Sequence, residues 1–252
     1  MLKKIFTCTI LLFTFLSGTA MSQSLENTFF ITEHLPPYNY KENNMLKGIS
    51  VRVLLEALNA VGIKYSPEKI KLYPWARGYK TALRTPNTCL FSTVRNEFRE
   101  NKFKWAGPIT NATLTFYSDN HGIEINSMED LKRYSITTAR QGIGHQILKQ
   151  EGFPENKLDT SNEASSMLEK LERKRVDIVL ENENVVYHTL KGKKRVWKSL
   201  KELYVLDLGE IYFAFNNDTE DHVVAKLQKG IDIIRKNGKL EKIVQTIPKN
   251  KN

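Results

Sequence analysis

The sequence predicts an α/β protein in which strands and helices alternate through two successive sets, 24–112 and 118–206, followed by a strand and helices to the end. Three observations predict it. Short apolar runs bounded by turn residues recur along the chain and read as buried strands. Between them, apolar positions repeat at three- and four-residue steps, as on one face of a helix. No linker rich in Pro, Gly or Ser, internal repeat or low-complexity segment separates the two sets, so strands rather than a loose tether are expected to cross between them. Such alternation favours mainly parallel sheets.

The elements follow in order. Residues 28–32 (TFFIT) read as a buried strand, and HLPPYNY then makes an extended turn, because its prolines exclude helix. Gly48 opens a helix whose Val51, Leu54, Leu55, Leu58 and Val61 form one buried face, and Gly62 stops it. Residues 70–73 suggest a strand; Pro74 then suits a helix start, and WARGYKTAL continues helically. Residues 89–93 and 113–118 (TLTFYS) are strands by apolar, β-branched and aromatic content. A short helix over 127–131 precedes a strand at 135–139, then a turn and helix in GIGHQILKQEG. Residues 161–163 cap a helix that turns Met167, Leu168 and Leu171 inward. Residues 176–180 (VDIVL) and 211–215 are strands. His222 begins an amphipathic helix with Val223, Leu227, Ile231 and Ile234 on one face; Gly238 interrupts it, and a last helix ends at Pro248.

The first residues, MLKKIFTCTILLFTFLSGTA, have the layout of a secretory signal peptide over 1–22: Lys3 and Lys4, an apolar run, then small residues. The run is short of the roughly 20 residues that span a bilayer, so a cleaved leader is expected rather than an anchor. The expected compartment is the periplasm. A chain with 40% hydrophobic, 26% charged and 10% aromatic residues can bury a core. Its formal charge of +10 falls to +8 once the leader's two lysines leave. The basic residues are scattered apart from KGKKRVWK at 191–198, and export weakens a nucleic-acid reading, so no nucleic acid is expected as partner. Cys8 lies in the leader, which leaves Cys89 alone in TCLFS as a buried core thiol. The five histidines show no metal-ligand spacing, and no cofactor is expected.

The segment order resembles the extracellular solute-binding proteins of family 3, the amino-acid receptors of ATP-binding-cassette importers. The matching pieces are TEHLPPYNY at 32–40, GISVRVLLEAL at 48–58, YPWARGYKTAL at 73–83, STVRNEFRENKFKWAGPI at 92–109, SMEDLKRYSITTARQGIGHQILKQEGF at 127–153, LEKLERKRVDIVLEN at 168–182 and the tail IYFAFN…LEKI. Each is weak alone; the order and spacing carry the signal. The resemblance implies the type II two-lobed periplasmic binding protein fold, each lobe a mainly parallel sheet flanked by helices. Lobe 1 would be 24–112 plus 211–252 and lobe 2 would be 113–210, with crossings near 109–115 and 208–213. It implies a monomer that closes by a hinge on a small-molecule ligand, an amino acid or related carboxylate, and delivers it to a membrane permease or receptor.

A carboxylate enclosed in such a cleft needs a fixed cation and N–H donors. In the family an Arg ending a Thr-rich loop before an aromatic strand supplies the cation, and the spacing to Phe103, Lys104 and Trp105 gives Arg99 that place; Arg95 is the second candidate. Arg140 with Gly142 and Gly144 opens a helix after a strand, a turn that binds anions in the family. Tyr38 and Trp75 are candidates to pack the ligand's apolar part; Trp75 and Arg77 begin a helix that points at the cleft. Trp105 is assigned to the core. One departure concerns the Asp that follows the VDIVL-like strand in amino-acid receptors: Asn182 stands there, with Glu181 or Glu183 as possible substitutes. Val94 and Asn96 also replace hydroxyl residues common in the Thr-rich loop. The two arginine loops predict a cationic crevice for an acidic solute. Two alternatives use the same fold: a dehydratase resembling cyclohexadienyl dehydratase, with Glu33, His34 or Glu181 as acid or base, and a ligand-binding sensor protein.

Overall fold

The computed structural model describes residues 23–191 and 199–247. The expected leader, the basic run beyond Lys191 and Pro248 lie outside the described residues. Strands β1 (Phe29–Thr32), β2 (Tyr40–Glu42), β3 (Met45–Lys47), β4 (Lys71–Leu72), β5 (Thr88–Val94), β6 (Phe103–Ser118), β7 (Ile136–Ala139), β8 (Leu158–Ser161), β9 (Ile178–Glu181) and β10 (Lys201–Asn216) follow in chain order. Strands β2 and β3 form a small hairpin. The other eight make one sheet in the order β4-β1-β5-β10-β6-β9-β7-β8. Its outer pairs, β1 with β4 and β5 and β7 with β8 and β9, are parallel. The central strands β6 and β10 run antiparallel to each other and to their neighbours β9 and β5.

Strands β6 and β10 are longer than the sequence predicts. The apolar runs at 113–118 and 211–215 are about a third of each 16-residue strand. In the rest of β6, Gly107 and Pro108 interrupt the β pattern. In β10, residues 201–210 alternate between exposed and half-buried positions, a weaker signal than a continuous apolar run. The two strands pair from Phe103 with Asn216 to Ser118 with Lys201, with a shift between Asp207 and Glu210. There Gly209 has a φ of +72°, and its N–H bonds the Asp207 side chain at 2.9 Å.

The helices cover the sheet. They are α1 (Ile49–Ala60), α2 (Trp75–Arg84), α3 (Glu97–Glu100), α4 (Met128–Leu131), α5 (Ile143–Gln150), α6 (Ala164–Glu172), α7 (Glu183–Thr189), α8 (Asp221–Lys236) and α9 (Lys239–Val244). One apolar cluster joins Phe30, Leu54, Leu58, Phe91, Phe213 and Leu227. A second joins Phe116, Leu131, Ile136, Leu148, Ile178 and Leu180, and a third lies under α6 and α7 with Met167, Leu171 and Val186. The predicted inward faces of α1, α6 and α8 are buried at Val51, Leu54, Leu58, Met167, Leu168, Leu171, Val223, Leu227, Ile231 and Ile234; Leu55 and Val61 are half-buried. Cys89 is a buried free thiol, and burial pushes its ionisation well above the usual thiol range. Trp105 is half-buried, between Phe103 and Tyr212. No described helix is long and apolar enough to cross a membrane.

Helices α1 and α8 approach closely because Gly230 has no side chain: a Cβ there would stand 2.2 Å from the Ala57 carbonyl oxygen. A backbone oxygen cannot rotate away. Alanine is the better helix former by about 1 kcal/mol, yet the clash outweighs that gain. Gly230→Ala is expected to lower stability by about 1–3 kcal/mol, the usual cost of overpacking; urea unfolding of the variant and parent checks it.

Candidate functional site

Two pairs of parallel strands, β1 with β5 and β7 with β9, end at one cavity of about 370 Å³. Glu33 follows β1, Val94 ends β5, Ala139 ends β7 and Glu181 ends β9, and all four residues line it. In open α/β sheets the carboxyl ends of strands form the ligand crevice. The ends of β1 and β5 and the start of α2 supply one wall; β7, β9 and the starts of α5, α6 and α7 supply the other.

The first wall is held by the loop after β1. The N–H groups of Ile49 and Ser50 donate to the carbonyls of Pro37 and Tyr38 at 3.1 and 2.9 Å. This contact needs Gly48, whose φ is +123° and whose Cβ would stand 2.2 Å from the Tyr38 oxygen. Tyr38 is thereby buried against the cavity. Asn39 donates to the Glu33 carbonyl at 2.6 Å. Ser92 donates to the Asn39 side-chain oxygen and lies 2.8 Å from the Ser50 hydroxyl. Ser92 has a φ of +63° inside a strand, a strained position that this buried polar knot maintains. Nothing in the sequence marks Ser92, which reads as one more residue of an apolar strand.

Of the predicted site residues, the structure brings Tyr38, Trp75, Arg99, Gly142, Gly144 and Asn182 to the cavity. Arg99 is 1% exposed. Its guanidinium carbon lies 4.9 Å from the centre of the Trp75 ring and 5.4 Å from that of Tyr79. It donates to the Val94 carbonyl at 3.3 Å and to the Gln146 side chain at 3.1 Å, across the cavity. Its Nε–H has no hydrogen-bond partner among the described residues. Desolvation lowers the Arg99 pKa to about 10, opposed by Tyr79 and Glu33, so the group stays cationic at neutral pH. Trp75 also bridges the walls, donating from Nε1 to the Gln141 carbonyl at 2.8 Å. So does the Tyr38 hydroxyl, which accepts from Asn184 Nδ2 at 3.1 Å.

Three predicted arginines do not line the cavity, and each has a local reason. Arg95 is exposed, binds Glu100 through two contacts of 2.8 and 2.6 Å and lies over Trp105 and Tyr212. Arg77 is exposed and stacks 4.1 Å above the Tyr73 ring. Arg140 is exposed; its backbone N–H bonds Ser161 while its side chain lies outside the cavity. The glycines beside it serve packing: a Cβ on Gly144 would stand 2.6 Å from Thr138 Oγ1 and 3.0 Å from Leu180. Asn182 is occupied too. It accepts from the N–H groups of Asn184 and Val185 at 2.9 and 3.4 Å, capping α7, and donates to the Thr113 carbonyl at 2.9 Å.

The expectation of a cationic crevice is corrected. Glu33 and Glu181 face Arg99's cavity, and Glu181 is 6% exposed. Burial first, then the Glu181 charge, raises the Glu33 pKa to about 8, opposed by Arg99. Burial raises that of Glu181 to about 7, opposed by the Asn182 N–H that it accepts at 2.7 Å. Two carboxyl groups thus answer one buried guanidinium.

The chain is 22% identical over 236 residues to the probable amino-acid-binding protein YxeM of Bacillus subtilis (strain 168), covering 90% of this chain and 86% of that protein. No family model matches it. A histidine kinase sensor domain with similarity to periplasmic binding proteins superposes with a TM-score of 0.77 at 17% identity, over 88% of this chain and 96% of that one. The arginine-, lysine-, histidine-binding protein ArtJ of Geobacillus stearothermophilus gives 0.75 at 15% identity, over 88% and 97%. This is the two-lobed periplasmic binding protein fold. The resemblance to the family 3 solute-binding proteins holds in sequence and in fold, and together they support a ligand-binding protein.

The raised carboxyl groups make stability pH-dependent. Between the ordinary value of 4.5 and about 8, the folded chain retains protons that the unfolded chain releases. This contribution is therefore intact below about pH 4.5 and is lost as pH rises through 7 and 8. Thermal melts should show Glu33→Gln gaining stability relative to the parent at pH 8.5 and losing that advantage at pH 5. A difference that does not change with pH contradicts the burial of Glu33.

Proposed function

We propose that this chain is a periplasmic solute-binding protein that captures an amino acid or related small carboxylate between two lobes and delivers it to a membrane transporter. The lobes of this reading are 24–112 with 211–252 and 113–210, closing about the β6–β10 crossing. The observation that carries it is one cavity in which a buried arginine, its Nε–H unpaired among the described residues, faces two carboxyl groups. A zwitterion suits that set: its carboxylate takes the Arg99 fork and its ammonium a glutamate, while Tyr38 and Trp75 bound its apolar part. Asn182 is not the ammonium ligand in this reading, because its polar atoms serve α7 and β6; Glu181, one residue earlier, takes that part. Similarity to a protein named as amino-acid-binding, and in fold to the substrate-binding protein of an amino acid ABC transporter, supports the reading. A leader peptide over 1–22 supplies the route out of the cytoplasm.

An enzyme on the same fold has one observation in its favour: a carboxyl group held protonated near neutral pH inside a cavity is what a general acid requires. The fold also matches an ancestral amino-acid-binding protein described as a precursor of cyclohexadienyl dehydratase, at a TM-score of 0.70 and 14% identity. Chromatography of amino acids and small organic acids incubated with the protein should return them unchanged; product formation supports the enzyme instead.

Arg99→Ala is expected to weaken binding by roughly 2–5 kcal/mol, the usual cost of truncating one partner of a buried charge pair. Titration calorimetry with the tightest ligand of an amino-acid panel measures it, and circular dichroism confirms that the variant is folded. Unchanged affinity removes Arg99 from the site.

A further inference from the structure

The charges inside the cavity do not balance. Arg99 is buried and cationic, while Glu33 and Glu181 reach the same cavity from the ends of β1 and β9, on opposite walls. Neither carboxyl group forms a salt bridge with a described residue. Glu181 accepts the Asn182 N–H, and no hydrogen bond from a described side chain reaches the Glu33 carboxyl. Arg99 is committed to the rings of Trp75 and Tyr79 and to Val94 and Gln146. The buried Tyr38 phenol is held neutral, its pKa raised by burial, and Tyr40 is half-buried; the other charged groups and histidines along the cavity stand at its rim. His34, Lys41, Glu42 and Glu163 are exposed and His188 is half-buried. Glu42 is paired with Lys47 at 2.9 Å, and solvent screens the rest of the rim. Two ionised glutamates against one arginine would leave a desolvated negative charge, which is costly. Something cationic must replace it: a proton, or a nitrogen of the ligand.

We propose that Glu33 and Glu181 hold one proton between them in the unliganded protein, and that a second cationic nitrogen on the ligand displaces it, so that capture releases a proton. The inference rests on the amino-acid reading above and deepens it. The ligand class is one carboxylate with two cationic nitrogens: the carboxylate meets Arg99, each nitrogen meets one glutamate, and the charges cancel. The exchange is balanced, since a glutamic acid and an ammonium or guanidinium become a carboxylate–cation pair and the proton passes to buffer. A ligand with one cationic nitrogen leaves one glutamate protonated and releases no proton.

Titration calorimetry of the full mature protein tests this with L-lysine, L-glutamine and succinate as probes, in phosphate and in Tris at pH 7. L-Lysine should bind with a heat that differs between the buffers by up to one proton. Its affinity should rise by up to tenfold per pH unit from pH 6 to 8. L-Glutamine should bind more weakly, with no buffer dependence. In Glu33→Gln, a variant of nearly the same shape, the proton release and the preference for L-lysine over L-glutamine should both disappear. A pH-stat reading on the unsubstituted protein gives the released proton without any variant. Tight L-lysine binding with no proton release, or binding of L-glutamine or succinate in preference to L-lysine, overturns the proposal and leaves the amino-acid or carboxylate reading standing. No binding by any of the three overturns both.

Discussion

The antiparallel pairing of β6 with β10 is the constraint on which the rest depends. Each strand joins apolar clusters in both halves, with Ala106 and Phe213 in one and Leu114, Phe116 and Tyr204 in or against another. The pairing continues past the irregularity at 207–210, so the two halves cannot separate without breaking a central ladder. That ladder is irregular between Glu202 and Tyr204, between Asp207 and Glu210, where Gly209 lies, and between Ile211 and Phe213. Away from the ribbon, the described walls meet across the cavity, through Trp75 with Gln141, Arg99 with Gln146 and Tyr38 with Asn184. The halves are thus joined by two paired backbone strands and by one set of side-chain contacts, and Trp75, Arg99 and Tyr38 of that set also line the cavity.

Much of this architecture is legible in the chain because burial imposes a period on it. The inward faces of α1, α6 and α8 follow from apolar spacing alone. The buried strands at 29–32, 88–94 and 178–181 read as continuous apolar runs because helices cover both of their faces. Strand β8 escapes because LDTS is polar and lies at the sheet edge, where a strand needs only one partner. Helix α7 escapes for a different reason: ENVVYHT is only seven residues long and follows its strand directly, although Asn182 is an N-cap by residue type. The hairpin β2–β3 is too short and polar to show an alternating pattern.

The site was legible in part, and the failures share a cause. Sequence places Arg95, Arg99 and Arg140 in cleft-facing loops and Arg77 at the start of a helix that points at the cleft, but an arginine's direction depends on what else can receive it. Glu100 stands five residues from Arg95 and offers a bidentate partner in solvent. Tyr73 offers Arg77 a ring face. Arg99 differs because α3 turns it beneath Trp75 and Tyr79, whose ring faces attract a desolvated guanidinium. None of these partners can be chosen from spacing alone. Glu33 and Glu181 are visible in the sequence as acids near predicted strand ends; that both enter one cavity depends on the crossing topology.

Net charge misleads about ligand chemistry for a related reason. The chain is strongly basic, and that composition invites an anionic solute. Yet the basic residues are dispersed over the surface, and at physiological ionic strength a charge is screened beyond about 8 Å. The cavity carboxyl groups act at short range in a desolvated space, where screening is weak and an unbalanced charge is expensive. The scattered basic residues therefore bear on the rate at which charged solutes arrive, whereas Glu33, Glu181 and Arg99 set the charge inside the cavity. The count that matters for selectivity is taken inside the cavity, where it is one guanidinium against two carboxyl groups. With both carboxyl groups ionised that count is negative, although the chain as a whole is positive. A dianionic solute would add two charges to this excess and could be enclosed only by protonating further groups, which makes an acidic ligand the least compatible with the site the chain builds.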